Sequence, residues 1–183
     1  MQRRSLLLAA CGLASCVKGP ALPELGSVPP FEFTDQDGNR FSSDKLKGKV
    51  WVADFFFTSC PGPCPRMSNQ LKQLQTDLAS LTNLRFVSIT VDPENDTPAT
   101  LAQYARRYEA NPARWVFLTG RKDLILNLMS ESMYLGHADT MTQHSTRFVL
   151  IDGSMKIRGY YDSFAKDGIE KLTEDIRKLH DRT

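Results

Sequence analysis

The stretch VWVADFFFTSCPGPCPRM (50–67) leaves few folds open to this chain. Its first eight residues are a near-continuous apolar run of strand length, the pattern of a strand buried on both faces. Beyond it, Leu71, Leu74, Leu78 and Leu81 recur at helical spacing from Met67 onward, so a core strand passes into an amphipathic helix. Cys60 and Cys64 stand at the junction, each followed by a proline. A residue before proline is pushed away from the α region, so the helix is expected to begin at Pro65 with Cys64 as its cap. Unpaired amides and the positive end of the helix dipole would then favour thiolate at Cys64, and at Cys60 beside it. Thiolate is the form that attacks disulfides and binds soft metals.

The flanking sequence fits one architecture. FEFTDQDGNRF (31–41) reads as a hairpin, with Phe31, Phe33 and Phe41 on its arms and Asp37-Gly38 at the turn. LRFVSITV (84–91) and WVFLT (115–119) are further core strands, and Thr97-Pro98 caps and opens a helix carrying Leu101, Tyr104, Ala105 and Tyr108. KDLILNLMSESM gives another helix. FVLID and KIRGYY flank a turn at Gly153-Ser154, and IEKLTEDIRKL (169–179) closes the chain as an amphipathic helix. This order describes an α/β, thioredoxin-like fold over 31–183: a central mixed sheet flanked by helices, with an N-terminal β-hairpin extension. A cysteine pair directly after the first long buried strand is where that fold keeps a redox site.

The N-terminus has the grammar of an export signal, with MQRRS, then LLLAACGLAS, and no acidic residue before Glu24. LAAC and LASC both resemble lipoprotein cleavage boxes. A cut before Cys11 leaves too short an apolar core, so residues 1–15 are read as a lipoprotein-type signal peptide and Cys16 as the lipidated residue. Residues 16–30, rich in proline and glycine, read as a tether. The expected location is the periplasmic side of a bacterial membrane, held by lipid. Loss of Arg3 and Arg4 with the signal leaves equal numbers of basic and acidic residues, a balance that argues against a nucleic-acid partner.

Thiols outside the cytoplasm are normally paired with each other or with metal. A plain disulfide staple gains little from so short a loop. For a metal, the chain adds only His137, His144 and His180. His180 reads as a solvated cation in the last helical turn and His137 as a surface loop residue. His144 stands in QHSTRFVLID just before a strand, in the loop that faces the cysteine pair in thioredoxin-like chains. Two thiolates and an imidazole suit copper, as Cu(I) and also Cu(II), better than hard ions, whereas structural zinc wants four ligands.

FFFTSCPGPCPRM, SITVDPENDTPATLAQYA and HSTRFVLID together resemble the three motif blocks of the Sco/SenC family, over about residues 28–180. The resemblance implies a membrane-tethered copper chaperone that serves the binuclear copper centre of cytochrome c oxidase, with Cys60, Cys64 and His144 as ligands and Asp92 and Asp96 as supporting residues. It also implies as partners the copper-receiving oxidase subunit and a periplasmic thiol reductant or copper donor. The family's Asp-Pro-x-Gly turn is replaced here by IDGSMK, and Gly62-Pro63 between the cysteines is thioredoxin-like. The alternative is a thiol-disulfide oxidoreductase acting on the oxidase copper-site cysteines or other extracytoplasmic disulfides, which needs Cys60 and Cys64 as a redox pair but not His144. A thiol peroxidase is a third reading. For Asp96 and Asp92, the plainer reading is a helix-opening turn and a strand end beside Pro93.

Overall fold

The computed structural model describes residues 21–136 and 145–181. Cys11, Cys16, His137 and His144 lie outside the described residues. The strands are β1 (Gly26–Ser27), β2 (Glu32–Asp35), β3 (Arg40–Ser42), β4 (Val50–Phe56), β5 (Leu84–Thr90), β6 (Trp115–Thr119), β7 (Arg147–Ile151) and β8 (Lys156–Asp162). The helices are α1 (Pro63–Asp77), α2 (Pro98–Arg107), α3 (Lys122–Asn127) and α4 (Gly168–His180).

The strands form one mixed sheet in the order β1-β8-β7-β4-β5-β6-β2-β3. β4 lies between parallel β5 and antiparallel β7, and every residue of it is buried. Its alternating side chains feed two cores, as a two-sided central strand must. Val50, Val52 and Phe56 pack under α1, α2 and α4, while Trp51, Ala53 and Phe55 pack with the hairpin and α3. The expected thioredoxin-like architecture is thus present, with the β2–β3 hairpin extending the sheet from the free edge of β6. In its turn Gly38 takes φ +81°, and the Asp35 carboxylate accepts from the amides of Asp37 and Asn39.

Four features differ from the sequence reading. α1 begins at Pro63 with Gly62 as its cap, so Cys64 is the second helical residue and not the cap. First-turn amides have no helical partner to lose, so both Pro63 and Pro65 fit there, and the bias against α before a proline is outweighed. The segment after α3 stays helical but widens into a single π turn, Leu128–Ser132. α4 runs through His180, which is half-buried where a freely solvated side chain was expected. Finally, Gly26–Ser27, inside the segment read as a tether, pairs with β8 and buries Val28. That contact depends on a distant strand edge and has no local signature.

The IDGSMK turn that joins β7 to β8 is locked by a close backbone approach. A Cβ on Gly153 would sit 2.9 Å from the backbone of Gly48, whose N–H donates to the Gly153 carbonyl. Gly153→Ala is therefore expected to destabilise the chain by about 1–3 kcal/mol. A shift of the urea midpoint checks it, and an unchanged midpoint would show that the loop before β4 yields freely.

Candidate metal centre

β4 ends at Phe56 and α1 starts at Pro63, so the connection between them must turn within a few residues at one pole of the sheet. The Cys60 amide donates to the Phe57 carbonyl, which closes that turn. Cys60 is 6% exposed and Cys64 is fully buried, both as thiols in one core cluster, and they lie near enough for Cys60 to act on the ionisation of Cys64. The structure therefore brings the two predicted sulfur residues together.

It also corrects the expected electrostatics of Cys64. Burial pushes the Cys64 thiol up, against the pull of a backbone hydrogen bond from Phe57, and the neighbouring Cys60 and Asp54 push it the same way. A helix N-terminus favours thiolate only where the sulfur faces its amides and water. Cys64 instead belongs to the core beside Phe56 and Met67. Loss of its proton needs a compensating partner, such as a bound cation or a sulfur–sulfur bond.

Asp96 holds this turn from the far side. The fully buried carboxylate accepts from the Thr58 amide at 3.0 Å, from the Thr58 hydroxyl, and from the Thr90 hydroxyl at the end of β5. Thr97, not Asp96, caps α2, by accepting from the Thr100 amide. Asp92 acts one step further out: both its oxygens accept from the Asn95 side chain, and its carbonyl accepts the amides of Asn95 and Asp96. Among the described residues no three His, Cys, Asp or Glu side chains converge as a ready metal cage. With these carboxylates already engaged, the donors on offer are two adjoining sulfurs, which suit a soft monovalent ion far better than an oxygen-seeking one.

The chain enters β7 at the same pole, since Ala53 pairs with Val149 in antiparallel register. Thr146, two residues after His144, accepts the Ser163 amide, and the Ser163 carbonyl accepts from Gln70 of α1. The segment following His144 is thereby fastened to the helix that carries Cys64.

Asp54, Thr58, Thr90, Ser88 and Trp115 escaped the sequence reading. Asp54 is the one charged residue in the apolar run of β4, and that interruption was the available signal. Its carboxyl accepts from the Ser88 hydroxyl, which accepts from the Trp115 indole N–H. Burial pushes it up to about 7 from the usual 3.8. Between those values the folded chain keeps a proton that the unfolded chain loses. This contribution is therefore fully present below pH 3.8 and is lost as pH rises through about 7. Asp54→Asn is expected to flatten that slope and to raise stability above pH 7 by an amount on the order of 4 kcal/mol. Urea melts at acid and alkaline pH check it; an unchanged slope would show that Asp54 is not the group responsible.

The SCO1/SenC family model matches residues 22–181 of this chain. The structure is similar to that of a SCO1/SenC family lipoprotein from Bacillus anthracis str. Ames, with TM-score 0.80 and 31% identity over 87% of this chain and 99% of that one. It is also similar to BsSco, a member of the Sco family of cytochrome c oxidase assembly proteins in which a disulfide switch is identified: TM-score 0.77 and 30% identity over 88% and 98% of the two chains. Yeast Sco1 with copper bound superposes with TM-score 0.66 at 29% identity, over 85% of this chain and 90% of that one.

Proposed function

The chain belongs to the SCO1/SenC family, and from that membership together with its paired sulfurs we propose that it is a copper carrier in the assembly of cytochrome c oxidase. It holds copper through Cys60, Cys64 and His144 and passes it to the oxidase subunit that carries the binuclear copper centre. The observation that carries this reading is that Cys60 and Cys64 share one buried cluster at the β4–α1 turn, each a free thiol. Binding displaces the thiol protons to solvent, so affinity rises with pH. Cu(I) is the form that two sulfurs favour, and the imidazole of His144 adds the donor that Cu(II) prefers. Asp96 keeps the turn in one shape through Thr58.

The same reading has the domain tethered by lipid at Cys16 on the periplasmic face of the membrane, after removal of residues 1–15. The similar protein from Bacillus anthracis is a lipoprotein, and no helix among the described residues is long and apolar enough to cross a membrane. Mass analysis of the membrane-derived chain tests it: an acylated N-terminus at Cys16 is expected, and an intact Met1 overturns it.

The decisive experiment measures copper in the reduced full chain with and without His144. Stoichiometric copper is expected in the unsubstituted chain, while His144→Ala should retain Cu(I) more weakly, by about tenfold or more, and lose Cu(II) more completely. Unchanged affinity for both ions would remove His144 from the site. The second reading, thiol-disulfide exchange, is favoured by the asymmetry of the pair, since slightly exposed Cys60 can attack a partner disulfide while buried Cys64 waits to resolve it. The partner then leaves with both thiols reduced, and Cys60 and Cys64 remain as a disulfide.

A further inference from the structure

At the opposite pole of the sheet, where β4 and β5 begin, lies a cavity of about 130 Å³ whose charged lining residues are Lys45, Lys49, Arg85 and Arg114. Among the described residues no carboxylate lines it. The cations are held there by the fold. Arg114 donates to the carbonyl of Gln75 in the last turn of α1 and to those of Leu78 and Leu81 just beyond it, and Arg85 to those of Thr82 and Leu84. These bonds fix the two guanidinium groups without neutralising them, because carbonyl oxygens carry no net charge. The Nε of Arg114 is buried with no acceptor. Lys49 and Arg114 are both pushed down, by burial first and then by the charge of Arg85, so like charges crowd one another. Lys45 lies over the Phe41 ring at 5.2 Å, at the rim.

A concave site lined by four cations, two of them fixed by the backbone, with an orphaned buried N–H and no counter-ion among the described lining residues, is suited to an anion. The geometry points to a binding site for a tetrahedral oxyanion of the phosphate class in the Lys45–Lys49–Arg85–Arg114 pocket. The anion is held by Lys49 and the Arg114 Nε within the pocket and by Lys45 at its mouth. Gly48, next to Lys49, also lines a second cavity with Ala21 and Leu22, so the first described residues lie at this same pole. The seven-residue span of β4 separates the pocket from the cysteine pair by roughly 20 Å. A phosphate group here comes from a lipid headgroup at a membrane surface or from free phosphate, and the two are separable.

The test uses the full chain carrying Cys11→Ser and Cys16→Ser, which cannot be acylated at those positions. Inorganic phosphate at constant ionic strength should raise its unfolding temperature saturably. Lys49→Gln should weaken that effect about tenfold, as loss of one charge-assisted hydrogen bond predicts. Lys45→Gln with Lys49→Gln should abolish it, and Lys166→Gln, a solvent-facing control, should leave it intact. Without phosphate, Lys49→Gln should unfold no earlier than the parent, because it relieves the crowding; this separates a lost ligand from a damaged fold. Binding to phosphatidylglycerol vesicles but not phosphatidylcholine vesicles, blocked by phosphate and lost in the double variant, identifies a headgroup. A phosphate effect without vesicle binding identifies free phosphate. The absence of a saturable phosphate effect, or an equal effect in the double variant, overturns the site.

Discussion

Cys64→Ser is expected to abolish stoichiometric copper binding, with an affinity loss of about a thousandfold or more, while the chain still folds. A hydroxyl is a hard, weak donor that does not ionise near neutral pH, so half of the sulfur pair disappears. The side chain is fully buried, so the substitution also places an alcohol in a mostly apolar setting and should cost about 1–3 kcal/mol. Cys60→Ser should lose copper as fully and stability less, because Cys60 keeps slight contact with solvent. Competition with a Cu(I) chelator and urea melts of the two variants measure both effects. Either variant holding Cu(I) as tightly as the parent would sink the two-sulfur site. The same pair carries the redox reading, and disulfide exchange should also vanish in both.

Asp96→Ala should be the most destabilising change at the site that touches no ligand. It leaves the Thr58 amide, the Thr58 hydroxyl and the Thr90 hydroxyl without their shared acceptor, in a place where Asp96 is 1% exposed. Losing a buried charged acceptor with several donors costs about 3–5 kcal/mol. Asp96→Asn retains one acceptor oxygen but turns an amide NH2 group toward a donor, and should fall between. Because Thr58 lies two residues before Cys60, the loosened turn should also weaken copper binding by about tenfold, in line with other outer supports of metal ligands. Asp92→Ala, which lacks direct contact with Thr58, should do less to both. A folded Asp96→Ala chain with unaltered copper affinity would reduce Asp96 to a purely structural residue.

Much of the fold was legible because local pattern and burial agree. VWVADFFF could only be a strand with two buried faces, and β4 is one. Thr97-Pro98 carried its own start signal, and α2 begins there. The Asp37-Gly38 turn likewise announced the hairpin, whose register pairs Phe33 with Phe41. Proline was less reliable as punctuation. Its rule concerns the preceding residue, whereas the first helical turn tolerates a missing amide, and Pro63 therefore opens α1 ahead of Pro65.

At the site, sequence by itself determined which side chains stand close together along the chain: two cysteines spaced across a proline-rich turn, and two aspartates in the block before α2. Residue type and short spacing are local facts, so the sulfur pair could be read from them. Only the tertiary structure decided what those groups experience. The direction of the Cys64 ionisation depends on core packing contributed by α1 and β4. The role of Asp96 depends on Thr58, 38 residues earlier in the chain, and that of Asp54 on Ser88, 34 residues later. Burial and charge act through space, and the chain order that spells out the motifs carries no measure of the distances that set them.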